Sequence, residues 1–324
     1  MKVSVALCTY NGENYLNEQI DSILNQTRKV DEIIVCDDRS TDRTFEILEG
    51  YAKSHPDVFK VVKNGTTLRS VKNFEKAISI CTGDVIFLSD QDDSWVPEKV
   101  ADIIRFFEAN PTINVVATNG YCMDENSDIS AKYAFWDVPY LLENEGIQFQ
   151  YAKLISCVSN IATGASMAIR KEIVKDCLPF PEIKNFHHDE WMAIIACKSD
   201  SFRMLPEKYF NYRIHSSQQV GGVFHAYTPK TKKMLVEVFD IFNFSISFSN
   251  AKKKLKRYTI AHQRNVLLAK YVSPYQDYFK TIVAENETLY DELKKAMLQH
   301  YPIKARVLFL TDKWFNKRQL IRST

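Results

Sequence analysis

Three carboxylates fall within four positions in the stretch FLSDQDDSW, residues 87–95. Asp90, Asp92 and Asp93 follow apolar residues typical of a buried strand, where like charges repel and resist desolvation. Asp90 and Asp92 are two residues apart, so they point the same way in an extended segment. Mg²⁺ or Mn²⁺ is typically held by one or two carboxylates, with water and substrate phosphates as the other ligands. The spacing suggests a metal site, and an exposed acidic turn that caps a helix is the alternative.

The elements that must position these carboxylates alternate between strand and helix over the first 120 residues. Helical patterns separate five short apolar runs, which are VSVALCT (3–9), DEIIVCDD (31–38), FKVVKN (59–64), DVIFLSD (84–90) and NVVATN (114–119). Such alternation predicts βαβ units and a mostly parallel sheet that is buried on both faces. The chain is therefore predicted to have an α/β fold.

Two further polar clusters stand where predicted strands end. Thr9-Tyr10-Asn11 follows the first strand, and Asp37-Asp38 follows the second. Ligands of parallel α/β sheets bind at the carboxyl ends of the strands. We therefore expect these clusters and the acidic stretch to meet in one cleft. Farther along, ATGASMAIR (162–170) reads as a strand, and YFNYRIHSSQQVGG (209–222) reads as a strand that leaves into a glycine-ended loop.

A second titratable group lies in NFHHDEWMAIIA (185–196), which reads as a polar turn that opens a helix. His187-His188-Asp189-Glu190 puts two acidic residues in the first helical turn. Asp189 could cap the helix, where negative charge is favourable. It could also act as a general base at a cleft and take a proton from a hydroxyl. A zinc site at the histidines is disfavoured, because the chain offers no HExxH motif and no cysteine partners.

Composition and motifs exclude several classes of protein. The seven cysteines form no CxxC pair, which indicates a reducing compartment, and no run approaches about 18 apolar residues. We therefore expect a cytoplasmic protein. Neither GxGxxG nor GxxxxGK[ST] follows a strand, so a dehydrogenase or P-loop enzyme is disfavoured. A phosphate-bearing ligand would need a metal and side-chain cations, for which Arg69, Lys72, Arg213 and His215 are candidates.

Six stretches occur in an order that resembles family 2 glycosyltransferases: VSVALCTYNGENYL, IIVCDDRSTDRT, IFLSDQDDSWVPEK, TGASMAIR, HHDEW and YRIH. Within that family, the chain is most similar to the rhamnosyltransferase-like branch of bacterial surface-polysaccharide synthesis. The resemblance covers about residues 1–225. It implies a GT-A fold, with a mostly parallel central sheet flanked by helices, and here a C-terminal helical region follows.

The resemblance also implies the reaction. One sugar would pass, with inversion, from a nucleoside-diphosphate sugar to a hydroxyl of a glycan or lipid-linked acceptor, with Mn²⁺ or Mg²⁺ as cofactor. UDP-sugars and dTDP-rhamnose both stay open as donors, because uracil and thymine present the same ring N–H. A metal would neutralise charge on the leaving diphosphate. The transition state would be oxocarbenium-like, as in glycoside hydrolysis.

Roles are carried over residue by residue from the resemblance. Asp189 is the implied base, with Glu190 as the fallback, and Asp92 and His215 are the implied metal ligands. Tyr10 would pack on the pyrimidine, Asp38 would accept its ring N–H, and Asp90 would hold the ribose. The implied donor-binding residues are Thr9, Tyr10, Asn11, Glu13, Asp38, Arg69, Lys72, Asp90 and Gln91. The implied acceptor-side residues are Trp95, Gly164, Ala165, His188, Glu190 and Trp191.

The chain departs from the family pattern at three points. Arg39 stands where the second-strand motif commonly has glycine, and HDEW replaces the HDWW of the branch. Glu190 therefore adds a carboxylate beside the implied base. The QxxRW motif of processive relatives is absent, which favours transfer of one sugar per encounter.

The last third of the chain has a different charge. Residues 226–324 hold 19 Lys+Arg and 8 Asp+Glu, a net charge of +11, while residues 1–225 have a net charge of −9. We expect a catalytic domain at 1–225, with its donor half at about 1–120 and its acceptor half at 121–225, and a basic, mainly helical region at 226–324. That region could pack on the catalytic domain with a solvated face, contact the inner face of the plasma membrane, or self-associate.

Two other functions compete with the main prediction. A sugar-nucleotide nucleotidyltransferase would need a glycine-rich loop after the first strand, and CTYNGEN does not supply it. A non-catalytic nucleotide- or glycan-binding protein on a degenerate GT-A scaffold would have no need of the metal and base carboxylates. Nucleic-acid binding is not expected, because no aromatic-interleaved basic sheet accompanies KKKLKR (252–257).

Overall fold

The structure is a computed structural model that describes residues 1–216, 218 and 224–321. The stretch 209–222, predicted as a strand that leaves into a glycine-ended loop, lies partly outside the described residues. Two units divide the chain: the first comprises Met1–Trp136, Ala162–Glu182 and His187–Ala226, and the second comprises Asp137–Ile161, Ile183–Phe186 and Tyr227–Thr324. The unit boundary at 226 lies beside the boundary expected at 225. Residues 137–161, however, group with the C-terminal helices.

Buried, β-branched runs form the strands of the first unit. The strands are β1 (Val3–Thr9), β2 (Glu32–Asp37), β3 (Phe59–Lys63), β4 (Val85–Ser89), β5 (Ser94–Trp95), β6 (Val115–Met123), β7 (Ile129–Ser130), β8 (Lys132–Ala134), β9 (Ala168–Arg170), β10 (Phe202–Arg213) and β11 (Phe224–Ala226). Every residue of β1 and β4 is buried. Burial on both faces is what a parallel sheet between two helical layers requires.

One mixed sheet dominates this unit. Among the described residues its order is β3-β2-β1-β4-β9-β6-β10-β5, with β7 added to β6, while β8 and β11 form a separate pair. The pairs β3–β2, β2–β1, β1–β4 and β6–β10 are parallel. β9 is antiparallel to both β4 and β6. The predicted, mostly parallel α/β sheet is therefore confirmed.

Amphipathic helices cover the sheet. The helices of the first unit are α1 (Leu16–Leu24), α2 (Thr44–Ser54), α3 (Arg69–Ile80), α4 (Lys99–Ala109), α7 (Val174–Cys177) and α8 (His188–Lys198). In α4, Val100, Ile103 and Phe107 are buried at helix-face spacing. The helix begins at Lys99, two residues after Pro97.

The segment 162–170 is only partly a strand. Gly164–Ser166 forms a short helical turn, and β9 begins at Ala168. The side chains of Thr163 and Ser166 bond each other's backbone and so close the turn. These local bonds replace the strand ladder, so the prediction of a continuous strand is wrong for its first half.

The second unit is helical. Its helices are α5 (Val138–Asn144), α6 (Tyr151–Lys153), α9 (Pro229–Phe239), α10 (Phe248–Tyr271), α11 (Gln276–His300) and α12 (Pro302–Trp314). Within KKKLKR, Lys254 is fully buried and donates to the carbonyls of Asp240 and Asn243. The run is therefore not a uniform basic surface. No helix among the described residues is long and apolar enough to span a membrane.

Candidate functional site

Polar segments that follow β1, β2 and β4 lie side by side at one edge of the sheet. β1 pairs in parallel with both β2 and β4, so the three strands end together. The N–H of Asp38 donates to the carbonyl of Thr9 (2.8 Å), and the side chain of Gln91 bonds the backbone of Tyr10. The convergence expected at the carboxyl ends is therefore present.

Asp92 and His215 meet across 123 positions of the chain. Oδ2 of Asp92 lies 2.9 Å from Nε2 of His215, and the two side chains are 20% and 8% exposed. β10 ends at Arg213, two residues earlier, and so delivers the imidazole to the loop after β4. The ring of Tyr15 lies 4.9 Å from the His215 ring, centroid to centroid.

This pair fits a divalent cation that receives its other ligands from water and substrate. Mn²⁺ accepts both a carboxylate oxygen and an imidazole nitrogen, and Mg²⁺ or Mn²⁺ held by few side chains keeps positions for phosphate oxygens. Within residues 1–216, 218 and 224–321, no cluster of three or more His, Cys, Asp or Glu residues could hold a metal. The donor set therefore suits an open site and does not suit a closed structural one.

Asp90 and Asp93 complete an acidic cluster whose charges oppose one another. Burial raises the pKa of Asp90 to about 7, and the charges of Asp92 and Asp189 add to the shift. Burial also raises the pKa of Asp93 well above its usual range, with Asp92 and Asp90 as further causes. One oxygen of Asp93 accepts the N–H of Arg213 (3.0 Å). A cation among these groups would relieve the repulsion.

Lys99 is a buried cation beside this cluster that the sequence analysis missed. Lys99 is fully buried. Its Nζ donates to the carbonyl of Ala165 (2.7 Å) and lies 4.0 Å from the ring centroid of Trp95. Burial lowers the pKa of Lys99 to about 7, while Asp93 and Asp90 oppose that shift. The three carboxylates just before Lys99 in the sequence could have predicted its role, because buried carboxylates need a positive charge nearby.

Arg213 is a structural cation, although the sequence left it as a candidate for phosphate binding. Its buried guanidinium donates from Nε to the carbonyl of Asp92 (2.7 Å) and from Nη1 to Ser127 Oγ (2.9 Å) and the carbonyl of Asp124 (3.2 Å). Nη2 pairs with Glu18. These bonds fix the backbone of Asp92 and direct the charge of Arg213 into the protein.

Asp38 anchors the loop between β3 and α3. Oδ1 accepts hydrogen bonds from Asn64 Nδ2 (2.9 Å) and the N–H of Leu68 (2.7 Å), and Oδ2 accepts from the N–H of Arg69 (2.8 Å). A carboxylate offers about four lone-pair sites, so capacity for one more donor remains. Asp38 is buried, and its binding of a nucleobase stays a prediction.

Gln91 links the loop after β4 to the loop after β1. Its Oε1 accepts from the N–H of Tyr10 (2.7 Å), and its Nε2 donates to the carbonyl of Tyr10 (2.9 Å). A Cβ at Gly12 would lie 2.4 Å from Oε1 of Gln91, so glycine permits the approach. Tyr10 itself is 45% exposed and available to pack on a planar ligand.

Three other predicted donor residues bond the end of β2 or the segment after it. The bonds run from Thr9 Oγ1 to Asp37 (3.0 Å), from the N–H of Thr41 to Asn11 Oδ1 (2.8 Å) and from the N–H of Arg43 to Glu13 Oε2 (2.9 Å). Arg39 in this segment has φ 66°, a region that glycine enters at little cost.

The two predicted donor-binding cations differ in their surroundings. Nζ of Lys72 lies 3.0 Å from an oxygen of Glu75 and 3.4 Å from an oxygen of Glu182, so its charge is already paired. Arg69 opens α3 with an exposed side chain, while its backbone binds Asp38. Arg69 is therefore the better placed of the two to reach a phosphate.

Asp189 lies in the first turn of α8, as the sequence predicted. Its Oδ2 accepts the N–H of Gly164 (3.0 Å), and its Oδ1 accepts the N–H of Glu190 (2.6 Å). Each oxygen keeps a lone pair for a proton. Asp189 is half-buried and Glu190 is 6% exposed, so the first-choice base is also the more accessible one.

His188 is buried against the same turn. Its ring stacks on Phe74 at 4.0 Å, and a Cβ at Gly164 would lie 2.9 Å from its Nε2. Burial lowers the pKa of His188 to about 4, so the imidazole is neutral at physiological pH. Neither ring nitrogen has a hydrogen-bond partner in the described part of the chain.

Two tryptophans implied on the acceptor side lie in the interior. Trp95 is 4% exposed and Trp191 is 2% exposed. The indole N–H of Trp191 donates to the carbonyl of Cys177 (2.8 Å). Ala165 is also buried and binds Lys99 through its carbonyl. These residues support the site from behind and do not present a surface to an acceptor.

Comparison with known proteins identifies relatives of the chain. The family model "Glycosyl transferase family 2" matches residues 4–178, more than half of the sequence. EpsE of Bacillus subtilis, which is named as a glycosyltransferase, is 39% identical over 124 residues, covering 38% of this chain and 45% of EpsE. An uncharacterized glycosyltransferase of Methanocaldococcus jannaschii is 29% identical over 216 residues, covering 65% and 70%. The match to EpsE thus spans less than half of that protein.

A solved structure supports the fold. S. aureus TarS 1–349, crystallised with UDP-GlcNAc, superimposes with a TM-score of 0.55 at 17% identity, covering 93% of this chain and 92% of that one. The GT-A fold predicted from the sequence is therefore confirmed.

Proposed function

Because the chain belongs to glycosyl transferase family 2, we propose that it moves one sugar from a nucleoside-diphosphate sugar to an acceptor hydroxyl. The observation that carries the proposal is the Asp92–His215 pair in the segments that follow β4 and β10, where the charges of both Asp92 and Asp189 act on Asp90. Asp189 holds the N–H of Gly164, and the next carbonyl, that of Ala165, is held by Lys99 beside the acidic cluster.

The reaction is a single displacement. An acceptor hydroxyl oxygen attacks the anomeric carbon as the bond from that carbon to the diphosphate oxygen breaks, which inverts the configuration. Asp189 takes the hydroxyl proton, and the nucleoside diphosphate leaves with the electron pair. Asp92 and His215 would hold Mn²⁺ or Mg²⁺, which when bound offsets negative charge on the diphosphate. Tyr10, Asp38 and Asp90 position the nucleoside.

The donor and acceptor are proposed at the level of class. A pyrimidine nucleotide is proposed because the family resemblance assigns the ring N–H of the base to Asp38, so a UDP-sugar and dTDP-rhamnose are the donors to test. The acceptor is proposed to be a glycan or a lipid-linked oligosaccharide of bacterial surface-polysaccharide synthesis, as in the rhamnosyltransferase-like branch.

The test is calorimetric binding of UDP and of dTDP, with Mn²⁺ or Mg²⁺ and then with EDTA. Wild type is compared with Asp92→Ala and with Asp57→Ala, which removes an exposed carboxylate before β3. We expect metal-dependent binding in wild type and Asp57→Ala, and its loss in Asp92→Ala. Absence of binding for both nucleotides in every condition would overturn the proposal. Binding without turnover on any donor would favour the degenerate scaffold.

A further inference from the structure

Helix α12 carries an apolar stripe on its exposed side. Ile303, Val307, Leu310 and Trp314 are 77%, 56%, 66% and 88% exposed. Their spacing of four, three and four residues places them on one face of a helix. We call these four residues the α12 stripe. The buried residues of α12 lie on the opposite face and are Ala305, Leu308 and Asp312.

Cations flank the α12 stripe on both sides. At 100° per residue, Lys304 follows one border, and Arg306 and Lys313 follow the other. All three side chains are exposed, as is Lys317 just after the helix. Asp312 is the one carboxylate within residues 302–321, and it is buried and paired with Arg318. The exposed part of this helix is therefore apolar and cationic.

A groove beside α12 extends the cationic border. It has a volume of about 660 Å³, and Lys294 of α11, Arg306 and Lys313 are among its lining residues. Nζ of Lys294 lies 4.6 Å from the ring centroid of Phe309, which holds the ammonium group at the groove wall. Arg318 and two carboxylates, Asp291 and Asp312, also line the groove, so its four cations outnumber its two carboxylates.

We propose that α12 docks on an anionic lipid surface, with the α12 stripe in the interface and its cations at the headgroups. Helices with a cationic polar face and a Trp-bearing apolar face lie in the plane of a membrane interface. Each Lys or Arg near an anionic leaflet adds attraction, and Trp prefers the interfacial depth. A second copy is the poorer occupant, because pairing two α12 faces would bring like charges together. Docking of α12 would be separate from the proposed reaction and would need no nucleotide.

Trp314 gives a direct spectroscopic test. The chain has four tryptophans, and Trp95, Trp136 and Trp191 are at most 4% exposed, so Trp314 at 88% is the one that solvent reaches. With phosphatidylcholine vesicles that contain phosphatidylserine, at low salt, we expect a blue shift of the emission. Trp314→Phe should remove the shift while still binding vesicles. An unshifted wild-type spectrum would contradict insertion of the stripe.

Vesicle co-sedimentation of the full chain tests the whole surface. We expect Leu310→Gln/Trp314→Gln and Arg306→Gln/Lys313→Gln each to weaken binding at least tenfold. Ile260→Gln and Lys252→Gln/Lys253→Gln remove exposed residues of α10 and should bind like wild type. Equal binding to vesicles without phosphatidylserine, or unchanged binding by both α12 variants, would overturn the proposal. So would a wild-type dimer in light scattering that the stripe variant converts to monomer, which would assign the face to self-association.

Discussion

Asp90 and Lys99 lie together at the candidate site, and the ionisation of both depends on pH near neutrality. Burial raises the pKa of Asp90 and lowers that of Lys99, each to about 7. Lys99 also holds the carbonyl of Ala165, next to the glycine whose N–H binds Asp189. A single buried residue thus connects the acidic cluster to the turn that positions the proposed base.

Lys99→Met tests how the burial of Lys99 makes the stability of the protein depend on pH. The pKa of Lys99 is about 7 in the folded chain and about 10.4 when unfolded, so between these values the unfolded chain binds the extra proton. Stability then rises with pH over this window: the contribution is complete above about 10.4 and is lost as pH falls from there to about 7. We expect the melting temperature of wild type, relative to that of Lys99→Met, to increase from pH 7 to pH 10. Lys53→Met, which changes an exposed lysine, should show no such trend. If the melting temperatures of wild type and Lys99→Met changed in parallel with pH, the prediction for Lys99 would be wrong.

Asp189→Asn tests the base. The amide keeps an acceptor oxygen for the N–H of Gly164 but cannot take a proton, so we expect turnover to fall at least ~100-fold with nucleotide binding unchanged. The measurement is sugar transfer beside nucleotide calorimetry. Glu190→Gln is the matched comparison, because it removes the neighbouring carboxylate. Near-wild-type turnover in Asp189→Asn together with loss in Glu190→Gln would move the base to Glu190.

At the scale of elements, the residues of the candidate site lie mainly in loops, because neighbouring parallel strands end at the same edge of the sheet. The loop after β1 reaches the loop after β4 through Gln91, and it reaches the segment after β2 through Asn11 and Glu13. Several predicted donor residues therefore hold loops together. Gln91 would affect a bound donor through Tyr10, because its side chain bonds both the N–H and the carbonyl of Tyr10.

Gly12→Ala should act through the same contact as Gln91→Ala. The added Cβ would displace Oε1 of Gln91, and both changes remove two hydrogen bonds to Tyr10. At about 1 kcal/mol for each bond, we expect a roughly tenfold or greater weakening of nucleotide binding. The double variant should be no worse than either single one, because both remove one interaction. Additive losses in a calorimetric cycle would show that Gly12 and Gln91 act separately.

Two units make up the whole molecule, and every residue of the proposed transferase site belongs to the first. The second unit carries the basic helices and the α12 stripe. A ligand of the site should therefore stabilise the unit that binds it, and vesicle binding should depend on residues of the other.

Scanning calorimetry with UDP or dTDP and Mn²⁺ tests that division. A ligand that binds only folded protein adds about 2.7 kcal/mol at a free concentration of about 100 times its Kd. We expect a higher melting temperature in wild type and in Leu310→Gln/Trp314→Gln, and no rise in Asp92→Ala. A stripe variant that loses the nucleotide effect would contradict the separation of the two roles.

The sequence by itself determined the alternating elements and the place where polar groups collect. Strand runs such as 3–9 and 84–90 are short, β-branched and apolar, and these local properties do not depend on distant contacts. The same logic put Asp189 at the start of a helix. Polar residues at strand ends then predicted one cleft, because parallel strands share an edge.

Tertiary structure decided the partners of those residues. Asp92 meets His215 across 123 positions, and Arg213 is buried by partners from three other segments, which no local pattern records. Lys99 reads as a surface residue at a helix start until the sheet encloses it. Burial and pairing are sums over the whole neighbourhood of a side chain, so they follow only once distant segments are packed together.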